Sequence, residues 1–139
     1  MTGIWLDTFK GIIPAENYSV SLVNGEEKGL TVTLTGSMHK VTIDFGIAAS
    51  VQMLDEGVLL QGADTPQLQS LREFSFPSTI YEIENGDLGC WLRAYMGDAL
   101  YTAHNYRQYN IVTLNYVIRV VTRWAPEISI HPIQSKTPR

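Results

Sequence analysis

Three short runs near the start of the chain alternate apolar and polar side chains with a period of two, and this leaves little freedom over the fold. Tyr18, Val20 and Leu22 alternate with Ser19 and Ser21. Leu30, Val32 and Leu34 alternate with Thr31 and Thr33, and Val41, Ile43 and Phe45 with Thr42 and Asp44. Successive side chains of a strand point to opposite faces, so each run buries one face and wets the other. A helix would scatter the same residues around its circumference. Asn24-Gly25 is a strong hairpin signal because both residues tolerate positive φ, and Glu26-Glu27-Lys28-Gly29 after it points to a longer loop. Gly36-Ser37 turns the chain again. Residues 18–46 are therefore expected to form a three-stranded antiparallel meander.

The rest of the chain is read in the same way. Ile4, Trp5, Leu6 and Phe9 precede Pro14 and suggest a short helix or a coil that docks two aromatic rings. Residues 48–60 are read as strand rather than helix, because Gly57 and Gly62 interrupt the segment. Gly62 to Pro66 is the best loop candidate. Thr79 to Glu84 has a strand pattern that ends at Asn85-Gly86-Asp87. Leu88, Trp91, Leu92, Tyr95 and Met96 then recur at helical spacing, which predicts a helix over 87–96 with this stripe buried. Asp87 or Asn85 is its expected N-cap and Gly97 its stop. Two strands are expected at about 108–114 and 116–123, joined at Asn115, with one long bent strand as the alternative. Ile128, Ile130 and Ile133 form a last strand, limited to a sheet edge by Pro126 and Pro132. The fold class is α+β: a mainly antiparallel sheet of about six to eight strands with one principal helix packed on it.

Composition bounds the rest. At 139 residues, 45% hydrophobic and 17% charged, the chain suits one domain over 1–139, with 134–139 as a frayed tail. Cys90 is its one cysteine, which excludes a disulfide scaffold. No apolar run approaches the ~18 residues of a membrane span. No cationic segment followed by an apolar one marks a leader, so a cytoplasmic protein is expected. The formal charge of −4 does not favour nucleic acid. It is unevenly spread: residues 1–99 hold thirteen acids against five bases, whereas 100–139 hold one acid against five bases. The halves attract each other in one fold, or the first two-thirds present an acidic face to a basic partner.

No catalytic motif stands out. His39, His104 and His131 lie far apart in sequence with no second ligand at short spacing, so no metal and no cofactor are expected. Phosphate loops and the G-x-S-x-G elbow are absent. Cys90 falls beside the buried helix stripe and reads as a packing residue, not a nucleophile. Tyrosines and arginines in the last third suit single-stranded RNA, but strand alternation accounts for them and no RNP-type motif is present. Glu82 and Glu84 share one strand face. Together with Glu26, Glu27, Asp55 and Glu56 they are the candidate partner-binding residues. Asp98, His104 and Tyr106 form an alternative polar cluster at the end of the helix, the site of a small enzyme if there is one.

Three stretches carry a resemblance. They are Ser78-Thr-Ile-Tyr-Glu-Ile-Glu-Asn-Gly-Asp-Leu-Gly-Cys-Trp-Leu, Tyr109-Asn-Ile-Val-Thr-Leu-Asn-Tyr-Val-Ile-Arg-Val-Val, and Pro126-Glu-Ile. Over about residues 78–128 the chain resembles small bacterial proteins encoded beside polymorphic toxins as candidate immunity proteins. Gly86 stands where those proteins usually carry Ser, and Arg119 where Asp is common. The shared residues read as fold-determining, so no catalytic role comes with them. The resemblance implies a non-enzymatic protein-binding module, in its sharpest form an inhibitor that sequesters a basic toxin or effector. The alternatives are the small enzyme and a structural homo-oligomer built by edge-strand pairing.

Overall fold

The computed structural model describes residues 3–55 and 76–133. Its first sheet is the expected meander. Strands β2 (Ser19–Gly25), β3 (Gly29–Thr35) and β4 (His39–Gly46) pair antiparallel in sequence order. The Asn-Gly pair does not make the turn itself. Gly25 pairs with Gly29, and Glu26, Glu27 and Lys28 form the connection. Strand β9 (Glu127–Pro132) joins the outer side of β4 and closes the order β2-β3-β4-β9. It lies at an edge between Pro126 and Pro132, as expected for residues that donate no ladder hydrogen bond.

A second sheet of five strands has the order β1-β6-β7-β8-β5, all neighbours antiparallel. Its members are β1 (Ile4–Leu6), β5 (Ala48–Asp55), β6 (Ile80–Glu84), β7 (Arg107–Val112) and β8 (Tyr116–Thr122). The described part of 48–60 is thus a strand, and 107–122 is two strands rather than one bent one. The N-terminal segment departs from expectation. It forms a short edge strand on β6, with Trp5 buried opposite Ile83, while Phe9 docks on the core. Three residues show too little periodicity to announce a strand, and the pairing comes from residues almost eighty positions away. Glu56, the 62–66 loop and the 134–139 tail lie outside the described residues.

The two sheets face each other across the main core. Leu30, Val32, Leu34, Val41, Ile43 and Phe45 from one meet Ile80, Tyr109, Ile111, Ile118 and Val120 from the other, all essentially shielded from water. Fully burying such a side chain stabilises by about 1.5–3 kcal/mol. The Tyr109 ring lies 5.9 Å from Phe45 and 6.0 Å from Phe9. Between the sheets the chain turns one sharp corner, with Ile47 alone separating β4 from β5. Gly29 and Gly46 both take positive φ there, at 74° and 67°. A Cβ at Gly29 would lie 2.2 Å from the Gly46 carbonyl oxygen, so only glycine lets the strands pass this closely.

The opposite face of the five-stranded sheet carries the helices. Helix α1 (Asp87–Met96) packs on β7 and β8, and a second helix, α2 (Asp98–Ala103), follows directly after Gly97. Helix α2 falls in the tyrosine-rich stretch, where its six residues give no periodic signal. Among the described residues there are therefore two helices, and the single expected sheet of six to eight strands is instead two sheets with nine strands.

The 7–18 segment is fastened to the β3–β4 turn through Glu16. Its carboxylate accepts a hydrogen bond from the Met38 backbone N–H at 2.7 Å and meets His39 Nδ1. The Met38 N–H, and next the His39 ring, hold the Glu16 carboxyl below its ordinary value of 4.5. A depressed folded pKa supplies stability above the unfolded value that is lost as the pH falls through the folded one. Glu16→Gln should therefore lower the melting temperature at neutral pH, with the gap from the parent closing as pH drops below about 4.5. Melting curves across pH check this, and a gap that stays constant would rule the contact out as the cause.

Candidate functional site

Helix α1 rests on the sheet with only part of its apolar stripe, Leu88, Leu92 and Met96, which are half-buried. Beneath it, one sheet face carries a polar row. Asn110 pairs with Arg119, and Arg119 pairs with Gln52, while Gln108 stands one pleat away on the same face. Gln108 and Asn110 are buried. Gln108 Oε1 accepts the Gly89 backbone N–H at 2.9 Å, and its Nε2 donates to Asn110 Oδ1 at 3.0 Å. The Arg119 guanidinium donates to Asp87 of α1 and to Gln52 of β5. These bonds satisfy groups at the helix start that would otherwise be left without partners. The expected N-cap is thereby corrected. Gly86 occupies that position with no side-chain cap bond, Asn85 has a φ of 56°, and Asp87 is the first helical residue.

The close approach needs glycines. A Cβ at Gly86 would lie 2.2 Å from Gln108 Oε1, and one at Gly89 would lie 2.8 Å from the Tyr101 hydroxyl. Gly89 is the helix's one buried residue, with Leu92, Arg93 and Met96 half-buried on the same side. The expected burial of Trp91 is wrong. Trp91 is 56% exposed and Tyr95 80% exposed, and their rings stack on each other 5.8 Å apart. Gly86 and Gly89 bring the start of the helix down onto Gln108, and with that side of α1 against the sheet its aromatic pair turns outward.

Two hollows flank this helix. On the α2 side, a cavity of about 220 Å³ lies over the ends of β6 and β7. Its lining includes Cys90, Arg93, Tyr101, Tyr106, Arg107 and Gln108. Cys90 is therefore half-buried at a cavity wall rather than enclosed in packing, and its thiol points to the Asn85 carbonyl at 3.7 Å. Arg93 holds its guanidinium carbon 4.7 Å over the Tyr101 ring while its Nε lies 3.2 Å from Asp98. Burial pushes the Tyr101 hydroxyl's pKa up, and Arg93 partly offsets the rise. On the β5 side, a more open groove of about 380 Å³ runs between Ser50, Val51 and Gln52 and the helix residues Leu88 and Trp91, with the Asp87–Arg119 pair at its base.

The candidate residues from sequence are only partly brought together. Tyr106 lines the cavity, its ring 5.7 Å from His104, whereas Asp98 is directed to Arg93. Those three do not converge as an acid–base set. Glu82 and Glu84 also line the cavity, on the strand face shared with Ile80 and Tyr109. Asp55 ends β5 at the opposite end of that sheet from Glu84, and Glu26 and Glu27 form the exposed turn of the other sheet. The described acids do not make one continuous patch. Arg93, Tyr101 and Gln108 were not singled out by sequence reasoning. The two glycines three positions apart at the start of α1 and the polar Gln108 and Asn110 inside an apolar strand were the available signals.

Among the described residues, no group of three or more His, Cys, Asp or Glu side chains is placed to hold a metal ion. Nor is any helix among them long and apolar enough to cross a membrane. No family model, curated protein or solved structure matches the chain.

Removing the Gln108 amide should cost more stability than removing the Trp91 ring. Gln108→Leu leaves the Gly89 N–H without its acceptor in a buried place and should cost about 1–3 kcal/mol. Trp91→Ala, already more than half in water, should cost less than about 1 kcal/mol. Chemical denaturation of both variants checks the order, and a larger loss for Trp91 would return that ring to the core.

Proposed function

We propose that this chain is a non-enzymatic protein-binding module, whose partner is a toxin or effector protein that it sequesters. The observation that carries the reading is the stacked, outward-facing Trp91–Tyr95 pair on α1. Large aromatic side chains held rigid at a surface are the usual anchors of protein interfaces, since they bury much area at small entropic cost. The groove between α1 and β5 gives such an interface relief, with Leu88 apolar and Ser50 and Gln52 polar. The aromatic pair lies on an element pinned to a rigid sheet by Gln108 and Arg119, so little ordering is left to be done on binding.

The net charge of −4 favours a basic partner. Because Glu26, Glu27, Asp55, Glu82 and Glu84 are distributed over both sheets, their contribution is long-range steering, which raises the association rate more than the affinity. The immunity-type version of this reading rests on the resemblance over residues 78–128. The enzyme alternative finds less support, because Asp98 is engaged by Arg93 away from His104.

The test is affinity capture from the native host, followed by kinetics with the captured partner. The reading expects one partner in stoichiometric complex. Trp91→Ala with Tyr95→Ala should weaken it by about tenfold or more. Glu26→Lys with Glu27→Lys should slow association at low salt and leave the melting temperature unchanged. Capture of further copies of this chain alone would favour the homo-oligomer and sink the reading, as would a partner that ignores the aromatic pair.

A further inference from the structure

Tyr101 is 9% exposed, yet its hydroxyl makes no hydrogen bond with any described residue. That oxygen is open to solvent, unlike the enclosed and unpaired Tyr109 hydroxyl, so a ligand can supply its partner. The hydroxyl is not enclosed by apolar packing. Tyr101 lines the 220 Å³ cavity beside α1, and its oxygen lies against the bare Cα of Gly89, where any larger residue would fill the space.

What the cavity offers a ligand is donors. Gln108 Oε1 is already taken by the Gly89 N–H, and one Nε2 hydrogen by Asn110, which leaves the second Nε2 hydrogen. Arg93 faces Asp98 through Nε and keeps the other edge of its guanidinium. An occupant must therefore bring acceptors and negative charge. One charge is enough, because Arg93 is the cation that faces it and Asp98 already answers part of that charge. A carboxylate carries one charge in a planar pair of oxygens that fits a guanidinium fork. The Tyr106 ring, 5.6 Å from that of Tyr101, supplies an apolar wall for the rest of the molecule.

We propose that this cavity is a binding site for a small monocarboxylate, its oxygens held by the Tyr101 hydroxyl, the Arg93 guanidinium and the Gln108 amide, with a short apolar body against Tyr106. This does not depend on the protein-binding reading, whose residues lie on the outer side of the helix.

Cys90, the chain's one thiol, reports occupancy from the cavity wall. The full chain is titrated with benzoate, propionate, benzamide and inorganic phosphate, and the rate of Cys90 modification is read beside calorimetric affinity. At least one of the two carboxylates should slow modification, with benzamide and phosphate at least about tenfold less effective. Tyr101→Phe should weaken carboxylate binding by about tenfold, the usual loss of a hydrogen bond to a charged group. It should not lower the melting temperature, since the lost hydroxyl bonds no described residue. Arg93→Gln gives a second measure of the same loss. The site is refuted if neither carboxylate protects Cys90, if benzamide or phosphate protects equally, or if Tyr101→Phe binds as the parent does.

Discussion

The structure turns on one backbone contact, the passage of Gly29 against Gly46 where β4 leaves its sheet and β5 enters the next. With Ile47 alone between them, two consecutive strands lie in different sheets, and the apolar faces of those sheets are forced toward each other. Both glycines adopt backbone angles that a side chain would strain. Thr122 closes the corner from the other side, its hydroxyl donating to the Phe45 carbonyl at 3.3 Å. The core from Leu30 to Val120 assembles across this fold line, and the position of β8, which carries Arg119, follows from it.

That core uses only one face of the five-stranded sheet. The other face is divided. Toward β1 it is apolar, with Trp5, Tyr81 and Ile83 clustered against Phe76 and Val112. Toward β8 a polar row of Gln108, Asn110, Arg119 and Gln52 runs beside the buried Val117 and Val121, and Gln108 and Arg119 pin α1 there by hydrogen bonds. Hydrogen bonds are directional where apolar contact is not, so this interface fixes the helix's rotation as well as its position. Both functional proposals follow from that one rotation. It turns Trp91 and Tyr95 to solvent and brings Gly89, Cys90 and Arg93 over the cavity.

Most strands were legible in the sequence because a period of two reports burial on one face directly. The meander, β6 and the pair β7–β8 all have it. The helix bounds were equally plain, set by Asp87 and Gly97. Its buried side was not. Leu88, Trp91, Leu92, Tyr95 and Met96 form one broad stripe, and periodicity does not say that the sheet takes only its Leu88, Leu92 and Met96 side. The choice fell to Gly86 and Gly89, whose significance depends on Gln108, nineteen residues beyond Gly89. The N-terminal strand and α2 escaped for a related reason, being too short to carry a period and ordered by partners distant in sequence.

The sequence by itself determined the strand segments, the α+β class, the position of the principal helix and the edge placement of β9. Each is local, decided by side-chain alternation, by turn-forming residues or by proline's missing donor. Tertiary structure alone decided that the strands divide into two sheets, because that division depends on a close approach between residues seventeen apart. It alone decided which way α1 faces, because a buried amide on β7 outweighs the helix's own apolar periodicity. The cavity belongs with these. Cys90, Arg93, Tyr101 and Gln108 are unremarkable where they stand in the chain, and they acquire a common chemistry only when two helices fold back over the ends of β6 and β7.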